Sequence, residues 1–173
     1  MKIIFLLGLL FFVVDGKFLE RRLADLDLEA LRNAMLIRHN EYRAQHQVGN
    51  LVRNSAIESI AQSYSEKLAA SGAFEHSGNK FNGNPLGENL FKTWGSSVDG
   101  TSPVDMWYDE VKLYDFNNQG FSMETGHFTQ VVWKSSKNLG CGFACGNGCV
   151  VTCNYYPAGN YLGQFESNVF PKK

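Results

Sequence analysis

The strongest periodicity along the chain lies in "SAIESIAQSYSEKLAASG", where Ile57, Ile60, Ala61, Tyr64 and Leu68 recur at the spacing that lines one face of an α-helix. Asn54 stands where an N-cap is needed, and Gly72 where a left-handed residue ends the element. Leu28, Leu31, Met35 and Tyr42 predict an earlier helix in "LEALRNAMLIRHNEYRAQH", with Asp27 as its N-cap. Residues 17–26, "KFLERRLADL", are charged and weakly patterned, and read as a loose amino-terminal arm. Ser102-Pro103 opens a third helix, with Asp105 placed for a capping-box-like start and Val104, Trp107, Tyr108 and Val111 as its buried face. Residues 73–100 carry many Gly, Asn and Ser and are predicted to be mostly irregular around "GENLF". A loop over 115–126 leads into a short helix from His127. In "CGFACGNGCVVTC" the period falls to two around Gly146-Asn147-Gly148, which predicts a β-hairpin, and Pro157 and Gly159 mark a turn after it.

The first sixteen residues carry a different pattern. Lys2 precedes an apolar run, Ile3 to Val14, and Val14-Asp15-Gly16 follows with a cleavable look, so residues 1–16 read as a signal peptide. The run is short of the roughly 20 residues that a spanning helix needs. A secreted, extracellular protein is the expectation, with residues 27–173 as its single domain. The formal charge is −1 and no long basic run occurs, which argues against nucleic acid as a partner. No Asn-X-Ser/Thr sequon is present.

Secretion changes how the four cysteines are read. With the turn at Gly146-Asn147-Gly148, Cys145 faces Cys149 and Cys141 faces Cys153, on one side of the ribbon. That register predicts two nested disulfides, Cys141–Cys153 and Cys145–Cys149. A four-cysteine zinc site is the rival, and an oxidising compartment disfavours it.

Candidate chemistry comes from histidines and glutamates. His39 and His46 lie on the first helix among polar neighbours, where a structural or solvated role is expected. His76 follows the second helix, and His127 heads an apolar run. Glu88 sits inside "LGENLF", and Glu110 beside the buried face of the third helix. A carboxylate in apolar surroundings needs a partner, and two imidazoles facing two carboxylates would satisfy both. They would also form a ligand set for a zinc-like cation, the acids orienting the rings or completing the shell.

"GHFTQVVWKSS" together with "CNYYPAGNYLGQF" strongly resembles the two signature stretches of the CAP superfamily (cysteine-rich secretory proteins, antigen 5 and pathogenesis-related 1 proteins). "HNEYRAQH", "EHS", "GENLF" and "MWYDE" match its other motifs in order. The pattern is most similar to the Golgi-associated plant pathogenesis-related group and to fungal secreted members. The resemblance implies an α+β fold, a three-layer α-β-α sandwich ending in the disulfide-bonded hairpin. It also implies a cleft tetrad of His76, Glu88, Glu110 and His127, with His76 and His127 binding an optional divalent cation, zinc being the usual one.

Function then divides. Tyr114, Phe116 and Phe121 fit a spaced aromatic pattern that in fungal relatives is implicated in sterol binding, so a sterol or other lipid is one expected partner. The plain alternative is that the three rings pin their loop to the body. A metal-dependent hydrolase is the second reading, with binding favoured over catalysis. A serine considered for catalysis in the Golgi-associated relatives is replaced here by Trp94, with Ser96 and Ser97 near but out of register. The third reading is a secreted effector acting at a membrane surface or on an extracellular or host protein.

Overall fold

The computed structural model describes the backbone of residues 16–95 and 98–173, and side chains from Asp27 onward outside that gap. The leader residues 1–15, and Ser96 and Ser97, lie outside the described residues. The elements are α1 (Gly16–Gln45), β1 (Val52–Arg53), α2 (Ser55–Ser71), β2 (Lys80–Phe81), β3 (Asn84–Pro85) and β4 (Gly87–Thr93). They continue with α3 (Ser102–Asp109), a 3-10 turn (Glu110–Leu113), α4 (Gly126–Val131), β5 (Asn138–Gly146), β6 (Gly148–Tyr156) and α5 (Phe165–Asn168).

Strands in the order β1-β5-β6-β4 make one sheet, with β1 parallel to β5 and the other pairs antiparallel. Successive side chains of a strand face opposite ways, so β6 serves two layers. Val151, Cys153 and Tyr155 join the main core with Met35 of α1, Trp107 of α3, and Phe128 and Val131 of α4. Val150 joins a smaller core with Tyr64 and Leu68 of α2, and Thr152 bonds Ser65 of that helix at 3.0 Å. The result is the expected three-layer arrangement.

The α2 layer sits unusually close to the sheet. A Cβ built on Gly140 would lie 2.3 Å from the Glu58 nitrogen, and one on Gly142 2.4 Å from the Gln62 Cα. Only glycine allows that approach. Asn54 caps α2 by accepting from Ala56 and Ile57, and Gly72 ends it at φ 75°, both as the sequence predicts. The hairpin register is also as predicted, Cys141 opposite Cys153 and Cys145 opposite Cys149, and both pairs are disulfides.

Three expectations are corrected. The first helix begins at Gly16, so residues 17–26 are helical and Asp27 lies within the helix instead of capping it. The segment is rich in Leu, Glu, Arg and Ala and has no breaker, while one interior Asp costs only tenths of a kcal/mol. Within 73–100, predicted mostly irregular, Gly87–Thr93 is a seven-residue strand, made by its pairing with β6. Asp105 does not cap α3: Asp99 accepts from the backbone of Thr101 and Ser102 there, and Asp105 instead binds Arg38 and Tyr42. Val111 falls in the 3-10 turn, half-buried.

Of the structural or solvated roles expected for His39 and His46, both have the structural one, and Arg43 between them is buried as well. His39, Arg43 and His46 are each 0 % exposed and continue the stripe begun by Met35. His39 donates from Nδ1 to the Met35 carbonyl and accepts at Nε2 from the Tyr155 hydroxyl, both at 2.7 Å. His46 bonds the Phe170 carbonyl and the Tyr108 hydroxyl in the same manner. Arg43 donates to the carbonyls of Gly49, Val131, Trp133 and Ser136, so an uncancelled charge sits in a cage of backbone dipoles.

Candidate functional site

Two histidine–glutamate pairs flank the edge strand β4. His76, in the loop after α2, meets Glu88 of β4 at 2.9 Å through Nδ1. His127, in the first turn of α4, meets Glu110 of the 3-10 turn at 2.6 Å, again through Nδ1. The strand links the pairs because consecutive residues point to opposite faces. Glu88 lies on the α2 side, opposite Asn154 of β6. Asn89 lies on the other side, where its amide donates to the His127 carbonyl and to the Tyr155 hydroxyl, each at 3.1 Å.

Glu88 is almost wholly buried, its side chain 6 % exposed, and four donors answer it. They are the His76 ring, the Ser77 backbone and hydroxyl, and the Asn154 amide. Burial works against its charge, but the bonds from His76, Ser77 and Asn154 outweigh it and hold the carboxyl below its ordinary range. The bond to Glu88 raises the His76 imidazole above its usual value, against a smaller opposing effect of burial.

Glu110 does two tasks. Its Oε1 takes the His127 ring, while Oε2 accepts from the backbone N–H of His127 at 2.9 Å and of Phe128 at 3.1 Å. Orphan donors at the start of α4 are thereby satisfied by a carboxylate from another element. The Trp107 ring lies 18° from coplanar with His127 at 6.4 Å and limits how the imidazole can turn.

A carboxylate can only accept, so in the neutral form each Nδ1 carries the proton and each Nε2 presents a lone pair. Among the described residues no protein group bonds either Nε2, and no three His, Cys, Asp or Glu side chains gather around one point as a metal ligand set. Each glutamate thus bonds a ring nitrogen and holds the orientation of its imidazole. An open groove of about 540 Å³ runs along α2 beside the first pair, sharing Ser77 with it and lined further by Ser59, Tyr64 and Lys67.

The three loop aromatics are placed unequally. Tyr114 and Phe116 pack edge-on at 4.9 Å, and both rings meet Phe128 of the core. Phe116 also lies over His46. Phe121 is 48 % exposed, as are its apolar neighbours in the loop, Leu113 and Met123, at 65 % and 81 %. Leu113, Tyr114 and Phe121 border a cavity of about 280 Å³ inside the loop. Sequence reasoning missed Leu113, Met123, Gln119 and Thr125, for a lone apolar or polar residue in a loop carries no period. Trp94 stands exposed, with the Lys92 amine 4.9 Å above its ring.

Comparison with known proteins agrees with this architecture. The family model described as the cysteine-rich secretory protein family matches residues 36–155. The chain is 42 % identical over 142 residues to Protein PRY2 of Saccharomyces cerevisiae, a match covering 80 % of this chain and 40 % of that protein. It is also 42 % identical over 146 residues to the Golgi-associated plant pathogenesis-related protein 1 of Homo sapiens, covering 82 % and 93 %. The match thus spans less than half of the yeast relative and nearly all of the human one. Among solved structures, that of NaASP2 with Zn2+ superposes with a TM-score of 0.64 at 27 % identity, over 84 % of this chain and 87 % of the other.

Proposed function

The chain belongs to the cysteine-rich secretory protein family, and on that premise we propose that it binds a small hydrophobic ligand, a sterol or related lipid, at the loop between α3 and α4. The observation that carries the reading is the loop cavity of about 280 Å³ bordered by Leu113 and Phe121, with Met123 exposed nearby. Covering such apolar side chains contributes roughly 25 cal/mol per Å² removed from water. Tyr114 and Phe116 serve as the fixed floor, and Phe121 as the free ring. Secretion is part of the same proposal, because two disulfides fit an oxidising compartment. A membrane surface or an extracellular protein is then the donor or recipient of the ligand.

The test is binding of a radiolabelled sterol by the purified mature domain, with Leu113→Ser/Phe121→Ser beside it. The double variant is expected to bind at least about tenfold more weakly, roughly 1.4 kcal/mol or more. Equal binding would remove the loop from the account, and no binding by either protein would remove the function. Phe116→Ala is a poor probe, because that ring packs against the core.

A divalent cation is the second element of the proposal, with Nε2 of His76 and His127 as the donors that the family resemblance implies. The donor chemistry fits zinc: each imidazole is fixed through Nδ1 by a carboxylate, as zinc-binding histidines commonly are. With two protein ligands, such a site is open and its metal exchangeable, and when bound the ion would supply Lewis acidity. Zinc titration followed by calorimetry, with His76→Ala as control, tests it: equal heats from both proteins would exclude His76 as a ligand. We favour binding over hydrolysis, since Trp94 stands where relatives considered for serine chemistry have their serine.

A further inference from the structure

Four buried side-chain polar atoms lack a hydrogen-bond partner among the described residues, and three of them belong to residues that border one cavity. They are the Tyr114 hydroxyl, Gln119 Oε1 and Thr125 Oγ1, all in the loop that the proposed function assigns to lipid. Tyr114 is 9 % exposed and Thr125 only 3 %. Leaving such atoms unanswered forfeits their hydration with nothing in return, so something with hydrogen-bonding capacity belongs there.

The cavity's size and charge narrow what that is. About 280 Å³ is at the small end for a ligand pocket and cannot enclose a sterol or an acyl chain whole, so only one end of such a molecule enters. Asp115 is the one charged residue among its described lining residues, and it is acidic. A carboxylate or phosphate head would meet that charge with no cation to offset it. Burial pushes the Tyr114 phenol up to about 12 against the opposing pull of the Gly120 backbone N–H, which faces the oxygen and leaves the hydroxyl proton free to donate. Thr125 can donate or accept, and Gln119 Oε1 accepts, while the amide nitrogen gives one of its two hydrogens to the Val169 carbonyl at 3.1 Å.

We propose that this cavity is a polar-head site, in which Tyr114, Gln119 and Thr125 select lipids ending in a neutral oxygen-bearing group and reject anionic ones, while the hydrocarbon remainder lies across Leu113, Phe121 and Met123. This rests on the lipid reading of the loop and adds to it the chemical class of the ligand. A sterol and a long-chain alcohol share that head chemistry, and the experiment separates them.

Four ligands are compared on the mature domain by equilibrium competition: a sterol, the same ring system without its oxygen, hexadecanol and hexadecanoate. The sterol and the alcohol should each bind at least about tenfold more tightly than the partner lacking a neutral oxygen. Whichever of the two binds better identifies the hydrocarbon class. Tyr114→Phe and Thr125→Val keep the side-chain shape and remove one orphan each. Both should weaken the oxygen-bearing ligands about fivefold, leave the oxygen-free sterane unchanged, and leave the melting temperature equal or higher. Unchanged binding in both variants would mean that water alone answers these atoms and would overturn the inference, with the lipid reading intact. Tighter binding of hexadecanoate than of hexadecanol would also overturn it. If none of the four binds the wild-type domain, the lipid reading falls and takes the inference with it.

Discussion

Glu110 holds His127 by ring and backbone together, accepting from Nδ1 at 2.6 Å and from the main-chain nitrogen at 2.9 Å. One carboxylate thus sets the tautomer of a candidate ligand and anchors the helix that carries it. Glu110→Ala removes the acceptor for the ring and for two N–H groups at the start of α4. The expected cost is about 1–3 kcal/mol, because the freed donors are largely buried. Urea denaturation measures that cost. Imidazole nitrogen NMR reads the second effect: His127 should change from a fixed Nδ1–H form to a tautomer mixture. A ring signal unchanged in the variant would show that Glu110 does not set the tautomer.

His39 predicts a pH dependence with a definite sign. Burial lowers its pKa from 6.5 to about 4, despite the opposing bond to the Met35 carbonyl. Between those values the unfolded chain holds a proton that the folded chain refuses, so stability falls as pH drops through the window. The full loss from this group is about 3 kcal/mol. His46 is depressed by burial too and adds to the slope. Urea midpoints taken from pH 7 to 4 should decline, and His39→Phe should flatten the decline even while lowering stability at pH 7. An equally steep slope in the variant would place the dependence elsewhere.

The two disulfides should differ in what they contribute. Cys141–Cys153 closes a chain segment of separation 12, and Cys145–Cys149 one of separation 4. Loop-closure entropy gives about 3 kcal/mol for the first and about 2 for the second. Cys141 and Cys153 are also buried, whereas Cys145 is exposed at the hairpin end. Paired alanine substitutions followed by thermal melts should therefore show the larger drop for the outer bridge. The reverse order would show that the hairpin tip limits stability.

What could be read in advance was what is local. Asn54 and Gly72 declare α2 because a cap and a left-handed stop act within a few residues. The Gly146-Asn147-Gly148 turn declares the cysteine register because side-chain period and turn length fix it together. Strand β4 carries no local signal, since its Gly87 and Glu88 are weak strand formers and its stability comes from β6, far along the chain. The full burial of His39 lacks a local signal for the same reason, since Tyr155 reaches it from another element, whereas Phe116 packs on Phe128 as the plain alternative for the loop rings has it. The resemblance named His76, Glu88, Glu110 and His127 but not which ring meets which carboxylate, because each pair joins separate elements and leaves no local pattern.

Arg43 gives the sharpest test of how the α4 face is held in place. Its guanidinium reaches carbonyls at both ends of the segment that follows α4, Val131 and Trp133 at 2.9 Å and Ser136 at 3.0 Å, and ties them to α1. Burial pulls its pKa down to about 10, yet at neutral pH it remains charged. Arg43→Met would fill most of the volume but leave the carbonyls of Val131, Ser136 and Gly49 without a donor, while that of Trp133 keeps the Ser136 N–H at 3.1 Å. Unmet buried acceptors cost about 1–3 kcal/mol each, so a total near or above 3 kcal/mol is expected even after partial rescue by water. Arg43→Lys should recover only part, because one ammonium has three donors and no planar fork to span four carbonyls. Urea denaturation of the three proteins should rank them Arg above Lys above Met. If Met proves as stable as Arg, the carbonyl cage is satisfied without the cation, and His127 owes its position to Glu110 and Asn89 alone.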